Sequence, residues 1–348
     1  MRRYFTVFLS LLALASSFLI VALGLWISGL NTGAVFSALL NGAAGDSYRL
    51  AETCVKACPL LLTGLAVALA LQAGQWNIGA EGQFLIGALG TAWAGQYVGD
   101  LPPWLALPAV CVAGMAAGAF WASGPAVLKN ARGVNEVIST IMLNFIAAGL
   151  VSYCVHGPLM ETQAQYPQTD PLPAPAQFSR LFPPMRLHFG IGIALLVAIV
   201  LQLYLFYTKG GLKLRASGAN PIAARFAGIK VHRQTMIAFA LSGALAGLAG
   251  SIEVCGVTYR VYEKFSPGYG YTAIAVALVG QRSPLGVILA ATLFGALEAG
   301  SGAIQRVAGV SSVLVSVIQA VIVFSLAVYS TDLARNFLKE KLHLSISI

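Results

Sequence analysis

Long apolar runs separated by short polar punctuation fill most of the chain, near residues 4–28, 54–72, 78–98, 104–127, 137–155, 190–208, 236–254, 268–281, 285–304 and 311–330. A bilayer-spanning helix uses about 20 mostly apolar residues. The pattern therefore predicts an all-α polytopic membrane protein of about ten transmembrane helices. Spans two to five and seven to ten read as pseudo-repeated halves. The whole chain, 1–348, reads as one transmembrane domain, with an external loop at 157–189 and a cytoplasmic loop at 209–234. Pro158, Pro167, Pro171, Pro173, Pro175, Pro183 and Pro184 lie in the first of these loops. Proline lacks the donor a helix needs, so an ordered cap or an extended polyproline-like loop is expected there. Residues 33–52 are too polar to span; Val35, Phe36, Ala38, Leu39 and Leu40 fit a short interfacial helix on the outer surface.

Two spans are interrupted. In lipid every backbone amide needs a partner, so a break survives only where protein packs around it or where it lines a wet cavity. The first break is Gln72-Ala73-Gly74-Gln75-Trp76-Asn77-Ile78-Gly79-Ala80-Glu81-Gly82-Gln83, with no basic residue of its own to anchor it at the cytoplasmic surface. Asn77 suits an N-cap, which would direct Glu81 and Gln83 into the bundle. The second runs from Glu253 to Tyr271, where Gly256, Pro267, Gly268 and Gly270 precede a short apolar run. Interrupted segments at matching places in two halves point to a transport pathway.

Glu81 and Glu298 are the carboxylates expected at membrane depth, where a charge costs about 2.5–3.5 kcal/mol on insertion scales. Glu81 has two readings: it contacts solute, or it hydrogen-bonds amides and holds the break open. Glu298 is expected to pack against a Ser or Asn of a neighbouring helix. Gly114, Gly118, Gly243, Gly247 and Gly250 are spaced for close helix approach.

Composition excludes the soluble classes. Of 348 residues, 58% are hydrophobic and 9% charged, against roughly 25% charged in a soluble domain. Mean hydropathy is +0.79. The net charge of +9 reads as topology, because basic residues gather in cytoplasmic loops. With the N-terminus inside, Arg2, Arg3, Lys129, Arg132, Lys209, Lys213, Arg215, Arg225, Lys230, Arg233, Arg282, Arg335, Lys339 and Lys341 share that side. The C-terminus is then cytoplasmic too, and no nucleic-acid partner is expected. Cys54, Cys58, Cys111, Cys154 and Cys255 read as free thiols without zinc spacing. The first apolar run reaches Trp26, too long for a cleaved signal core.

The 209–234 loop is punctuated like a helix. Asn220 suits an N-cap, Pro221 the first helical position and Gly228 the stop. Ala223, Ala224 and Ala227 offer a smooth face with Ile222 and Phe226 as anchors, a form that enters a partner's groove; an amphipathic surface linker is the other reading. The string Gly218-Ala219-Asn220-Pro221 with Ala223-Ala224 and Ala227-Gly228-Ile229 resembles the coupling-helix motif of bacterial ABC importer permeases in the monosaccharide and branched-chain amino acid branch. Asn77 to Gln83, Gly133-Val134-Asn135-Glu136-Val137-Ile138 and Tyr269 to Leu278 resemble the forms in its nucleoside and simple-sugar subgroup. The match extends over about 35–330.

The resemblance implies a bacterial inner-membrane permease that pairs with a second permease, identical or paralogous. It implies cytoplasmic ATP-binding subunits that carry ATP and Mg, and an extracytoplasmic solute-binding lipoprotein. No cofactor is expected in this chain. It further implies that Gly218, Asn220, Pro221, Ala223, Ala224 and Gly228, with a helix at 221–228, transmit ATP-driven motion. Gln75, Trp76, Asn77, Glu81, Asn135, Glu136, Asn144 and Tyr271 would lie on or near the solute path.

An intramembrane enzyme is disfavoured, since His156, His188, His232 and His343 lie at span edges or in loops, away from any nucleophile they could activate. An ion-coupled secondary transporter is the alternative, with Glu81 as its titrating group. Such a carrier does not require the capped internal helix. No Walker sequence occurs, so ATP dependence would come from another polypeptide.

Overall fold

The computed structural model describes residues 2–309, 311 and 313–330. Arg335, Lys339, Lys341 and His343 lie outside the described residues. Among those described the chain is helical, with two isolated bridges, Gln168 with Tyr262 and Arg180 with His188, in place of strands. The α-helices are α1 (Arg2–Ile27), α2 (Thr32–Ala44), α3 (Ser47–Gln72), α4 (Ala80–Gly95), α5 (Pro103–Arg132), α6 (Glu136–His156), α7 (Gly190–Tyr207), α8 (Lys209–Ala219), α9 (Pro221–Phe226), α10 (Val231–Glu253), α11 (Tyr269–Val279), α12 (Pro284–Ala308) and α13 (Val313–Ser330). A π-helical turn, Val254–Thr258, extends α10.

Each of the ten apolar runs coincides with a helix. Among the described residues six helices are long and apolar enough to cross a bilayer: α3, α5, α6, α7, α10 with its extension, and α12. At 1.5 Å per residue, α4 with 16 residues and α11 with 11 fall short of the ~30 Å hydrocarbon core. Both follow a break, and both stop short for that reason.

The chain divides into two compact units, residues 1–53 with 296–348, and residues 54–295. In the first, Ser17 of α1 donates to the Val321 carbonyl of α13. Asn31 caps α2 by accepting from the Ala34 amide at 3.0 Å. Val35, Ala38, Leu39, Gly42 and Ala43 form its buried face, and Gly42 sits against Gly300 and Ala303 of α12. The short helix expected in this segment is present as α2, and one face of it is packed, because small residues at helical spacing let two backbones approach. Glu298 accepts from the Gln319 amide at 3.1 Å, a glutamine where a serine or asparagine was expected.

The second unit is built around α4, α5 and α10. Gly87 faces Gly247, Gly118 faces Gly243 and Gly247, and Gly114 lies under Thr91 and Ser251, whose hydroxyls meet at 2.7 Å. Without a hydrophobic drive between helices in lipid, such close packing and interhelical hydrogen bonds hold a bundle together. In α3, 89% of the most apolar window is buried, against 28% in α6 and α7. Phe145, Ile146, Leu196 and Val200 give the latter two an exposed apolar surface. The proline-rich loop is ordered over the end of α10: the Thr169, Leu172 and Phe178 amides donate to the carbonyls of Val261, Tyr259 and Cys255. All five cysteines are free.

Candidate functional site

The first break begins where α3 ends. Gly74 adopts φ +70°, a conformation side chains resist. The Gln75 amide then returns to the Ala70 carbonyl and that of Gly74 to Leu71, closing a Schellman motif. Beyond it the chain runs extended to Gly79, the N-cap of α4, which has no side chain to cap with. Asn77 is therefore not the N-cap that its position suggested. It lies two residues earlier and accepts from the Gly79 amide at 2.9 Å. Its amide also exchanges two hydrogen bonds with Gln83, at 2.9 and 3.0 Å, and donates to Ser242 of α10 at 2.8 Å. Ser242 in turn donates to the Ala66 carbonyl of α3. Both donors and both acceptor sites of Asn77 are used, as burial demands.

Asn144 of α6 supplies the cap that Gly79 lacks. Its Oδ1 accepts from the Gly82 amide and its Nδ2 donates to the Ile78 carbonyl, each at 2.9 Å. A neighbouring helix thus satisfies one of the open amides at the start of α4.

The second discontinuous helix repeats the device. The N-cap of α11 is Gly268, at φ +97° and again without a capping side chain. Glu81, buried in the first turn of α4, provides the acceptor: its Oε2 takes the Gly270 amide at 2.7 Å, and its carboxyl group is also hydrogen-bonded by the Tyr271 amide and the Ser266 hydroxyl. Gly270 lies against the backbone of Ala80 and Glu81, so the two helices meet N-terminus to N-terminus. Their aligned peptide dipoles favour an acceptor group between them. Of the two readings of Glu81, the amide-bonding one describes its contacts, with the amides belonging to the other broken helix rather than its own.

At the other end of the first break, Lys129 of α5 reaches Gln75 Oε1 and Glu136 Oε1, both at 2.7 Å. Glu136 also receives the Trp76 amide. The break has a basic anchor after all, supplied by a residue 54 positions away in sequence. Asn135 caps α6 through the Val137 amide and is exposed. Trp76 and Tyr271 remain about half exposed, at 47% and 46%. Gln75, Trp76, Asn77, Glu81, Asn144 and Tyr271 are therefore tied to the two breaks, and Glu136 joins them through Lys129.

Ser242, Lys129 and Glu253 were not singled out by sequence. Glu253 is, with Glu81, a buried carboxyl group, facing the charges of Lys56 and Arg186, and Lys56 lies 3.4 Å from the Tyr269 hydroxyl. Its position at the end of an apolar run, beside a glycine-rich break, was the available signal.

In the 209–234 segment, Asn220 accepts from the Ile222 and Ala223 amides at 3.0 Å, and Pro221 opens α9. The helix ends at Phe226, two residues before Gly228. Gly228 has φ +77° and forms the stop, with the Ile229 amide bonded to Ala224 and that of Gly228 to Arg225. Ala224 is buried against the body, whereas Ile222 and Phe226 are 67% and 91% exposed. Ala223 and Ala227 are exposed too, so Ala224 is separated from the face they share with the anchors. Gly218 lies in the last turn of α8, a helix where a loop was expected, and abuts Gln72, Ala73 and Gly74.

Residues 49–326 match the family model of the branched-chain amino acid transport system permease component. The guanosine ABC transporter permease NupP of Bacillus subtilis is 36% identical, over 92% of this chain and 93% of its own. The nucleoside ABC transporter permease NupB of Lactococcus lactis is 33% identical, over 92% and 91%. The glucose ABC transporter permease TsgB13 of Haloferax volcanii is 37% identical, over 81% and 76%.

Proposed function

The chain belongs to the family of branched-chain amino acid transport system permease components, and from that premise we propose that it imports a nucleoside across the bacterial plasma membrane. As an ABC permease it is an integral membrane subunit, and ATP is hydrolysed by a separate subunit of such systems. ATP-binding and substrate-binding components are its general partners. A nucleoside is favoured because the guanosine and nucleoside permeases match over nine-tenths of the chain; a simple sugar is the second reading, favoured by the glucose permease.

The observation that carries the mechanism is the pair of short helices whose amides are capped across the break. Trp76 and Tyr271 line the solute path on this reading. Gln75, Asn77, Glu81, Asn144 and Gln83 hold its walls, while Asn135, Glu136 and Lys129 close its cytoplasmic end. The ten-helix count, pseudo-repeated halves and cytoplasmic termini belong to the same reading, as do a second permease subunit and a lipoprotein receptor. Residues 218–228 couple it to the ATP-binding subunit, with Ile222 and Phe226 in that subunit's groove; ATP and Mg bind there, not here.

The test is uptake of radiolabelled guanosine and glucose by cells expressing this chain with the other components of its operon. Saturable guanosine uptake that stops when the ATP-binding subunit is inactivated is expected. Glucose uptake without guanosine uptake would assign the sugar reading, and nucleotide-independent uphill uptake would overturn the ABC mechanism itself.

A further inference from the structure

Residues Gln72–Gly74, at the inner end of α3, touch three parts of the second unit that are far apart in sequence. The first is the end of α8. A methyl group on Gly218 would collide with the Gln72 carbonyl oxygen and with the Ala73–Gly74 backbone, and one on Gly74 would collide with Gly218. Two residues after Gly218, Asn220 opens α9. The second is the first break, which starts at Gln75 and leads into α4. The third is the turn after α11: Gln72 Nε2 donates to the Arg282 carbonyl at 2.9 Å, and the Arg282 amide donates to Ala277 in the last turn of α11 at 2.9 Å.

We infer that Gln72–Gly74 is the junction through which motion of the α8–α9 element reaches both discontinuous helices. This rests on reading α9 as the coupling element and adds where its displacement enters the membrane body. Backbone-to-backbone contact at Gly218 leaves no flexible side chain to absorb a shift, so a rigid α8 moves the foot of α3 directly. From there one route runs through Gly74 and Gln75 to α4, and the other through the Gln72 side chain and Arg282 to α11. Gly218 is a positioning residue on this account, facing the membrane body rather than the ATP-binding subunit.

Gly218→Ala and Gln72→Ala test it in the chain co-expressed with its operon's other components. Three quantities are measured: membrane level, co-purification of the ATP-binding subunit, and guanosine transported per ATP hydrolysed. Mutations along a coupling route change coupling by about 2- to 30-fold. A fall of that size in transport per ATP, with the complex intact, is expected for each variant; an unchanged ratio in an intact complex would overturn the junction. A purely structural defect would lower transport and hydrolysis together, leave the ratio unchanged and so count against it. If Gly218→Ala fails to assemble, Gln72→Ala decides, since it removes one side-chain hydrogen bond and adds no volume. Ile222→Asp with Phe226→Asp separates the underlying reading: retention of the ATP-binding subunit with normal uptake would overturn α9 as the coupling element.

Discussion

The two breaks solve the same problem with different materials. Between Gln75 and Gly79 the backbone is satisfied by side chains, principally Asn77 and Asn144, each using both ends of its amide. Between Val254 and Gly268 it is satisfied principally by backbone, with the Thr169 and Ser266 hydroxyls accepting from the Val261 and Gly268 amides. The chain there winds into a π-turn, and the proline-rich loop lies alongside it with main-chain hydrogen bonds. A side-chain solution depends on a few residue identities, whereas a main-chain solution depends on the loop as a whole. The first break should therefore be sensitive to single substitutions and the second tolerant of them.

Asn77→Ala is the strongest way to break that comparison. It leaves the Gly79 amide and both polar atoms of the Gln83 amide without partners in a dry interior. At about 1–3 kcal/mol for each of the three buried groups left unsatisfied, a loss of roughly 3–9 kcal/mol is expected, read as a large drop in the melting temperature of detergent-purified protein. A variant that melted like the parent would mean that the network is dispensable.

Acid should find the second break instead. His188, in the proline-rich loop, stacks on Phe178, accepts from the Gly190 amide and lies against Gly256 of the π-turn. Burial pushes its imidazole down from 6.5 to about 4. An imidazole that is harder to protonate when folded contributes stability that is complete above pH 6.5 and lost as the pH falls toward 4. At 1.36 kcal/mol per pH unit the loss approaches ~3 kcal/mol. Hydrogen exchange of residues 254–261, corrected for its intrinsic pH dependence, should accelerate over that window while residues 75–83 stay protected. Parallel acceleration of both would erase the distinction. Glu161 and Asp170 add a sensitivity of the same loop as the pH falls below 4.5 and 3.8 respectively, because hydrogen bonds from Gln168 and Thr162 hold their carboxyls below the usual range.

Glu81→Gln tests the link between the regions. The amide keeps one acceptor oxygen but turns an NH2 group toward donors at Gly270, Tyr271 and Ser266, costing about 1–2 kcal/mol. Uptake should fall while ATP hydrolysis by the partner continues. Unchanged uptake would reduce the cap to a dispensable contact.

What the sequence disclosed follows from how far each signal reaches. The apolar runs, the Asn220 cap and the Gly228 stop were legible because they depend on spacing within a few residues. Both breaks were legible from glycine, proline and polar residues interrupting a span. Who satisfies them was not, because Asn144, Ser242 and Lys129 lie on other helices and Glu81 serves an amide 189 positions away. Asn77 was misread as an N-cap for the same reason: its local propensity was correct, but Gln83 and Ser242 offered a fuller set of partners than the helix end. The packed face of α2 escaped because residues 33–52 were judged by polarity over the segment, while its buried positions follow helical spacing.

The mildest substitution discriminates most finely between side-chain and main-chain solutions. Thr169 of the proline-rich loop accepts from the Val261 amide through its hydroxyl, at 3.1 Å, and its own amide donates to the Val261 carbonyl at 2.8 Å. Thr169→Val deletes the first bond, together with the hydroxyl's donation to the carbonyl of exposed Asp170, which water replaces, and leaves the second along with the neighbouring main-chain bonds of Leu172 and Phe178. One lost side-chain hydrogen bond of this kind costs about 1 kcal/mol, and the remaining ladder should keep the loop in register. Asn144→Ala, by contrast, removes two bonds at the first break and leaves the Gly82 amide and Ile78 carbonyl with no substitute. Measured side by side by thermal melting, Thr169→Val should be the smaller loss by about twofold or more, since two buried groups are orphaned in one case and one in the other. Equal losses would show that the second break relies on individual side chains as heavily as the first.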